Sequence, residues 1–434
     1  MAHYLSLSKY RYNERGHGTK SSSEIDDEYR RRLEGPSTVV TNLLPTLTTK
    51  EQLELSAVSG RTVGTRNHPI FFVETRTINR LVERVRLLSN QILDMTHGHK
   101  LPPVAVQSFV YTLMTNEIVF TNEIEGVKTN PVEIGTMVGG GDTNSNSSRR
   151  LRSTVHKYQD VLKGKVWRID KLADFRTLYD ELLKGEIAKD NLPDGQLFRN
   201  RFVSIGDGVR VVHTPPDNED NVRIALQQLV AFMNDDSLVQ VEKALVTHFM
   251  FENTHPFNDG NGRTGRYLLS SYLSSKLDPY TGLSISTSIH SNLNKYYRLF
   301  QDADDVANRG ELTFFVEGLL QIIVNGQKDV IDQLNSRASQ LSAEKERLWQ
   351  KLPDLTVVQK NVVYVLLQSR LFTNDNSYGV QDRELYNVVH DDKGKVASRH
   401  QIKDAIDALE EQNVIITIKK RPLQHVLADR LFMG

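Results

Sequence analysis

The stretch HPFNDGNGRTGR, residues 255–266, constrains this chain more than any other. Twelve positions hold one histidine, two asparagines, one aspartate, three glycines and two arginines. A helix leads into it: in EKALVTHFMFENT, Leu245, His248, Phe249 and Glu252 share one stripe. Pro256 biases His255 away from the α region, so that helix ends there. The chain passes through Asp259-Gly260-Asn261-Gly262 and re-enters a helix at RTGRYLLSSYLSS. The first four N–H groups of a helix have no partner inside it. Glycine lets the backbone come close to a bound group, so the amides around Gly260–Arg263 form an anion cradle at a helix N-terminus. Arg263 and Arg266, three apart, lie on one face and can both point at that anion. Two guanidinium groups and a cradle carry more positive charge than a lone carboxylate needs, which points to a polyphosphate.

Asp259 sits beside the cradle, where a hard carboxylate holds magnesium jointly with phosphate oxygens and water. His255 lies on the rim and, with an ordinary pKa near 6.5, accepts a proton at neutral pH. A base, a metal ligand, an anion hole and two arginines suit phosphoryl or nucleotidyl transfer, where positioning and charge stabilisation dominate. GNGRTG also satisfies the dinucleotide fingerprint G-x-G-x-x-G, and Asp278 lies near the expected distance downstream. That fingerprint needs a preceding strand, and here a helix ending in His-Pro precedes it. The chain has no G-x-x-x-x-G-K-[ST] motif, so it is not a P-loop protein. A merely polar turn between two helices is the bland competing reading.

The 434 residues suggest two to four domains. With 38% hydrophobic and 25% charged residues the composition is that of a soluble globular protein. The net charge is +0, so no overall field draws in nucleic acid or anionic membrane. There is no cysteine, which removes disulfides, thiolate chemistry and cysteine-ligated zinc. No signal peptide or membrane-length apolar run is visible, so a cytoplasmic location without membrane contact is expected.

Residues 1–35 read as an irregular, partly ordered arm containing KSSSEIDDEYRRRLEG. In TINRLVERVRLLSNQIL the positions Ile78, Leu81, Val82, Val85, Leu88 and Ile92 recur at helical steps, and VAVQSFVYTLMTNEIVF continues as a second helix. MVGGGDTNSNSSRR at 137–150 reads as a loop and domain boundary. RFVSI and VRVV around GDG read as a β-hairpin, and a new helix follows TPPDNED. A long polar helix is expected around 325–350. The last 80 or so residues suggest three helices and a two-stranded wing. The expected fold is mainly α: a helical core with a β-hairpin flap and N-terminal helices, plus a small α+β, winged-helix-like C-terminal domain. The expected divisions are 1–150, 151–345 and 346–434.

HPFNDGNGRTGR matches every specified position of the signature HPFx[D/E]GNGRxxR, so the chain resembles Fic-domain proteins over roughly 105–320. It is distinguished from the related Doc kinases, which lack GNGR. The resemblance implies transfer of AMP from ATP to a Tyr, Thr or Ser hydroxyl of a target protein, with release of pyrophosphate and with Mg2+ as cofactor. It assigns His255 as the base, Asp259 as the metal ligand, and Gly260, Asn261, Gly262, Arg263, Thr264, Gly265 and Arg266 to the nucleotide. Asn261 and the amides around Gly260 and Gly262 would face the α-phosphate, and both arginines the β- and γ-phosphates. The hairpin at 201–213 resembles the flap that holds the target's backbone, with Val211, Val212 and His213 bordering the nucleotide. Tyr296 and Tyr297 in NKYYRLF resemble the flank of the adenine pocket. Where relatives carry an asparagine, this chain has Asp302, Asp304 and Asp305.

TNEIEG at 121–126 would alone be a capped, acidic helix end. Beside a Fic loop it resembles the inhibitory motif [S/T]xxxE[G/N], through Thr121, Glu125 and Gly126. The resemblance implies a charge-assisted pair between Glu125 and Arg266, bidentate where geometry allows, that occupies the arginine meant for the γ-phosphate. Removal of AMP from a modified protein, or use of another nucleotide, is an alternative reading. So is a DNA-binding regulator with a ligand-sensing core, since Lys419, Lys420 and Arg421 lie on the expected wing. A homodimer through the C-terminal module is a further expectation.

Overall fold

The computed structural model describes residues 4–12, 18–59, 64–97, 101–140, 146–165, 167–206, 210–372 and 379–433. The fold is mainly helical with a few small antiparallel sheets. It divides into two compact units, Met1–Ile92 with Leu113–Val330, and Leu93–Thr112 with Ile331–Gly434. Among the described residues no helix is long and apolar enough to cross a membrane.

After a single helical turn at Leu7–Tyr10, the first unit forms α1 (Ser22–Leu33) inside the stretch expected to be irregular. The reason is a capping box: Ser21 accepts from the Glu24 amide while the Glu24 carboxylate accepts from the Ser21 amide. Buried Arg32 then ties this helix to the core by bridging Glu28 and Glu311. Strand β1 (Thr38–Val40) pairs antiparallel with β2 (Phe71–Val73). Helix α2 (Arg76–His97) buries Ile78, Leu81, Val85, Leu88 and Ile92 at the spacing read from the sequence. Helix α3 (Pro103–Ile124) follows and ends just before Glu125.

The glycine-rich segment at 137–150 is a shorter connection than its composition suggests. Helix α4 (Asn146–Leu162) starts inside it, because Leu151, Val155 and Tyr158 supply a buried stripe; residues 141–145 lie outside the described set. Helix α5 (Leu172–Leu182) comes next. The hairpin consists of β3 (Ile205–Gly206) and β4 (Val211–His213), with its GDG tip falling partly outside the described residues. Of RFVSI only Ile205 joins the ladder, which has an irregularity between Ile205 and Gly206. Asn218 caps α6 (Glu219–Met233) by accepting from the Asn221 amide.

Helices α7 (Gln240–Thr254) and α8 (Asn261–Lys276) form the centre of the unit. Almost every residue of α7 is buried, Leu245, Val246, Phe249 and Phe251 completely or nearly so. At about 1.5–3 kcal/mol per buried large apolar side chain, this pair anchors everything the loop between them holds. Helices α9 (Ile285–His290) and α10 (Leu293–Asp304) then close one side of it. The expected polar helix is α11 (Thr313–Lys351), longer at its N-terminal end than its polar half indicates.

In the second unit the three expected helices are α12 (Val357–Phe372), α13 (Asp382–Val388) and α14 (Arg399–Glu411). The two wing strands are β6 (Ile415–Lys420) and β7 (Leu423–Leu427). A short strand, β5 (Val380–Gln381), pairs with β7 as well, giving the order β5-β7-β6. Two residues carry too little pattern to be read as a strand from sequence. His425 of β7 is buried, with its Nε2 2.7 Å from Asp382 Oδ1, which ties the sheet to α13.

Candidate active site

Helix α7 ends in His255, which adopts φ 48°, ψ 62°. A non-glycine residue pays about 1–2 kcal/mol for this left-handed geometry, so neighbours must enforce it. The His255 amide donates to Phe251 O at 3.0 Å. Its carbonyl accepts from Arg199 Nε at 2.7 Å. Arg199 is fully buried, and its guanidinium also donates to the carbonyls of Arg201 and Pro216, at 3.0 and 2.6 Å. The Arg199 amide donates to Pro256 O at 2.9 Å. One buried arginine therefore clamps the backbone on both sides of His255. The sequence carries no signal for it, since QLFRNR looks like any polar loop. Burial, and then the Arg199 and His213 charges, push the His255 imidazole down to about 3, so it is neutral at physiological pH.

The loop after His255 is held from inside. Phe257 is buried and stacks on Tyr179, ring centres 3.8 Å apart. The Asn261 side chain accepts from the Phe257 amide at 2.8 Å and donates to the Phe257 carbonyl at 2.7 Å. Both ends of that carboxamide shape the loop. Gly260 has φ 83°, and a Cβ there would meet Leu183 at 2.4 Å. The first intrahelical bond of α8 is Thr264 N–H to Gly260 O, 3.0 Å, so the amides of Asn261, Gly262 and Arg263 precede the ladder as the cradle requires.

The two arginines of the loop have separate partners. Arg266 is buried; its Nε donates to Thr121 Oγ1 at 2.9 Å, and its Nη2 donates to the Thr121 carbonyl at 2.9 Å and to Glu125 Oε1 at 2.8 Å. Burial opposes the guanidinium's charge most strongly, but Glu125, Tyr296 and Glu252 together outweigh it and hold the pKa above the usual arginine value. The Glu125 pair rests on one hydrogen bond rather than two, since Nη2 reaches a single carboxylate oxygen while Nε and Nη2 also serve Thr121. Gly126, at φ 71°, ends the helical run, and Val127 N–H donates back to Asn122 O at 2.9 Å. A Cβ on Gly262 would lie 2.1 Å from Glu125 Oε1, so the carboxylate lies directly on the N-terminal turn of α8.

Arg263 turns elsewhere. Its Nη1 donates to Glu186 Oε2 at 3.1 Å and its Nη2 to Asp259 Oδ1 at 3.2 Å. Glu186, in LLKGEIAKD, gives no sequence cue to this role. Asp259 is 39% exposed at its side chain. Among the described residues no group of three or more His or acidic side chains could hold a metal ion. A cation here would therefore share one hard carboxylate with oxygens of a bound phosphate, and Asp259, exposed and held by a guanidinium, fits that requirement.

A cavity of about 550 Å³ joins these parts. His255, Gly262, Arg266 and Glu125 line one region, Val212 and His213 of β4 a second, and Tyr296, Tyr297, Phe300 and Asp304 a third. Val211, Asp259, Gly260, Asn261, Arg263, Thr264 and Gly265 are not in its lining. Thr264 Oγ1 donates to Gly260 O at 2.9 Å. Gly265 makes room for Glu252, since a Cβ there would lie 2.1 Å from Glu252 Oε1. Burial pushes Glu252 up to about 8. Tyr296 Oη lies 2.9 Å from His248 Nε2, and Tyr297 Oη donates to Ile124 O at 3.3 Å, touching the end of α3. Of the three acidic residues noted downstream, Asp304 alone lines the cavity, and it accepts from Asn253 Nδ2 at 2.7 Å.

Residues 169–273 match the Fic/DOC family. They form a Fic domain. The chain is 30% identical over 148 residues to the protein adenylyltransferase fic-1 of Caenorhabditis elegans, covering 32% of this chain and 27% of that protein. It is 26% identical over 186 residues to the protein adenylyltransferase Fic of Drosophila yakuba, covering 41% and 34%. The matched part thus spans about a quarter to a third of these curated relatives. The crystal structure of a Fic family protein from Desulfovibrio desulfuricans G20 superposes with a TM-score of 0.52 at 16% identity, over 82% of this chain and 96% of that one. That likeness extends the shared fold well beyond the Fic domain itself.

Proposed function

We propose that this Fic-domain chain transfers AMP from ATP to a hydroxyl side chain of a target protein, and that Glu125 restrains it. The observation that carries the reading is the cavity in which neutral His255 and Arg266 converge while Glu125 occupies that arginine. The imidazole takes the hydroxyl proton, the hydroxyl oxygen bonds to the α-phosphorus, and the bond from that phosphorus to the bridging oxygen breaks, releasing pyrophosphate. The cradle amides of Asn261–Arg263 stabilise charge on the transferring phosphate. Asp259 would hold Mg2+, which supplies further charge neutralisation when bound. Strand β4 lies where a target backbone could add as a strand. Tyr297 and Phe300 offer the adenine an aromatic wall.

Glu125 blocks the step by holding Arg266 and by placing negative charge where the γ-phosphate would sit. On this reading residues 1–150 carry the restraint, 151–345 the chemistry and 346–434 partner recognition. Incubation with α-labelled ATP, Mg2+ and cell lysate tests it. Label should pass to protein in a Glu125→Gly variant and vanish when His255→Ala is added. No His255-dependent transfer, with binding of duplex DNA through Lys419, Lys420 and Arg421, would favour a DNA-binding regulator instead.

A further inference from the structure

We propose that Arg263 is a positioning residue for Asp259, not a phosphate ligand, and that Glu186 keeps it in that task. The inference rests on the reading of Asp259 as the carboxylate that meets a Mg2+–nucleotide. Arg263 donates one N–H to each of two carboxylates, Glu186 and Asp259, at 3.1 and 3.2 Å. The Arg263 and Glu186 side chains are both 5% exposed. Arg263 is absent from the lining of the cavity where His255, Gly262 and Arg266 meet. Glu186 is itself fixed, with Thr154 Oγ1 of α4 2.5 Å from its Oε1.

Three physical points turn this geometry into a role. A buried guanidinium taken from its carboxylate leaves an uncompensated charge behind, so Arg263 does not readily leave Glu186 for a phosphate. A planar fork serves two carboxylates at once, which a lysine ammonium does less well. Carboxylates that meet a cation are oriented by an outer hydrogen-bond donor. The charges also sum usefully: Glu186 cancels Arg263, so the chain Glu186–Arg263–Asp259 keeps one net negative charge at the Asp259 end. Without Glu186, Arg263 would compete with a cation for that carboxylate.

The test uses the full chain carrying Glu125→Gly, so that nucleotide has access. Calorimetry measures binding of an ATP analogue with a carbon bridge between its α- and β-phosphates, first in chelator and then across a Mg2+ titration. Glu186→Gln and Arg263→Lys should leave metal-free affinity within about twofold and raise the Mg2+ needed for half-maximal binding about tenfold or more. In an Asp259→Asn background Glu186→Gln should shift the Mg2+ requirement no further. If Arg263 is a phosphate ligand, Glu186→Gln frees it and tightens metal-free binding, and Arg263→Lys weakens it; either result overturns the proposal, as does an additive shift on Asp259→Asn. Should Glu186→Gln fail to fold by thermal melt, Thr154→Val must give a smaller shift in the same direction, and its absence overturns the proposal too. If the Glu125→Gly protein binds the analogue with no Mg2+ dependence, the reading of Asp259 falls and the inference with it. If Mg2+ dependence is present and the variants leave it unmoved, only the inference falls.

Discussion

Replacing Glu125 by glycine removes the hydrogen bond from Arg266 to that carboxylate and spares the two to Thr121. The guanidinium therefore stays where it is and loses only its anion. A hydrogen bond to a charged group contributes about 1.5–3 kcal/mol. Glu125 is 28% exposed at its side chain, so screening by water favours the lower half of that range. A γ-phosphate must displace this contact before it can use Arg266. At about 1.4 kcal/mol per tenfold, the variant should incorporate label from α-labelled ATP about ten- to fortyfold faster than wild type. Glu125→Gln keeps an acceptor for Arg266 without the charge and should fall between the two. Stability should move the other way. Arg266 is left as a buried donor short of a partner, so stability should drop by about 1–3 kcal/mol and the melting temperature with it. Added Mg2+–ATP should then restore more of it in the variant than in wild type, because the phosphates supply the missing anion. If Glu125→Gly is no faster than wild type, or if ATP stabilises both proteins equally, the idea that Glu125 competes for Arg266 is wrong.

Other outcomes follow from the same contacts. In the Glu125→Gly background, His255→Ala should lower label transfer by about 10²–10⁴-fold while calorimetric ATP affinity holds, the signature of a lost base. Arg199→Met should release the left-handed turn at His255 and leave several buried carbonyls without donors, lowering the melting temperature and reducing kcat more than KM for ATP. Glu252 has a folded-state pKa of about 8 against an ordinary 4.5, so the unfolded chain releases this proton first and the carboxyl costs stability increasingly as pH rises through that window. Glu252→Gln should match wild type in thermal melts near the acidic end and exceed it near pH 8. Equal melting temperatures at both ends would show that the carboxyl ionises freely.

The backbone course of the loop at 255–266 was legible because Pro256 and the glycines set the helix ends at fixed local spacing. The helix ends and the free amides that open α8 follow from neighbours a few positions away. Even α1 was announced locally, by Ser21 and Glu24, though the charge around them looked like disorder. What local spacing cannot give is which charges are already spoken for. Arg263 and Arg266 look equivalent on paper, three apart on one helix. In the fold one meets Glu186 and Asp259 and the other meets Thr121 and Glu125, partners 77 and 141 positions away for the two distant glutamates. Arg199 is the extreme case: an arginine in an ordinary loop becomes the clamp on His255 only because backbone carbonyls from two other segments converge on it. The chemistry of such a site is written in residue types, but its regulation lies in the competition for each guanidinium. For Arg266 that competitor is a partly exposed carboxylate on a helix end, which on the proposed reading a triphosphate displaces. For Arg263 it is a buried carboxylate outside the lining of the cavity. On the two proposals, the same pair of arginines holds one contact that breaks on nucleotide binding and one that stays.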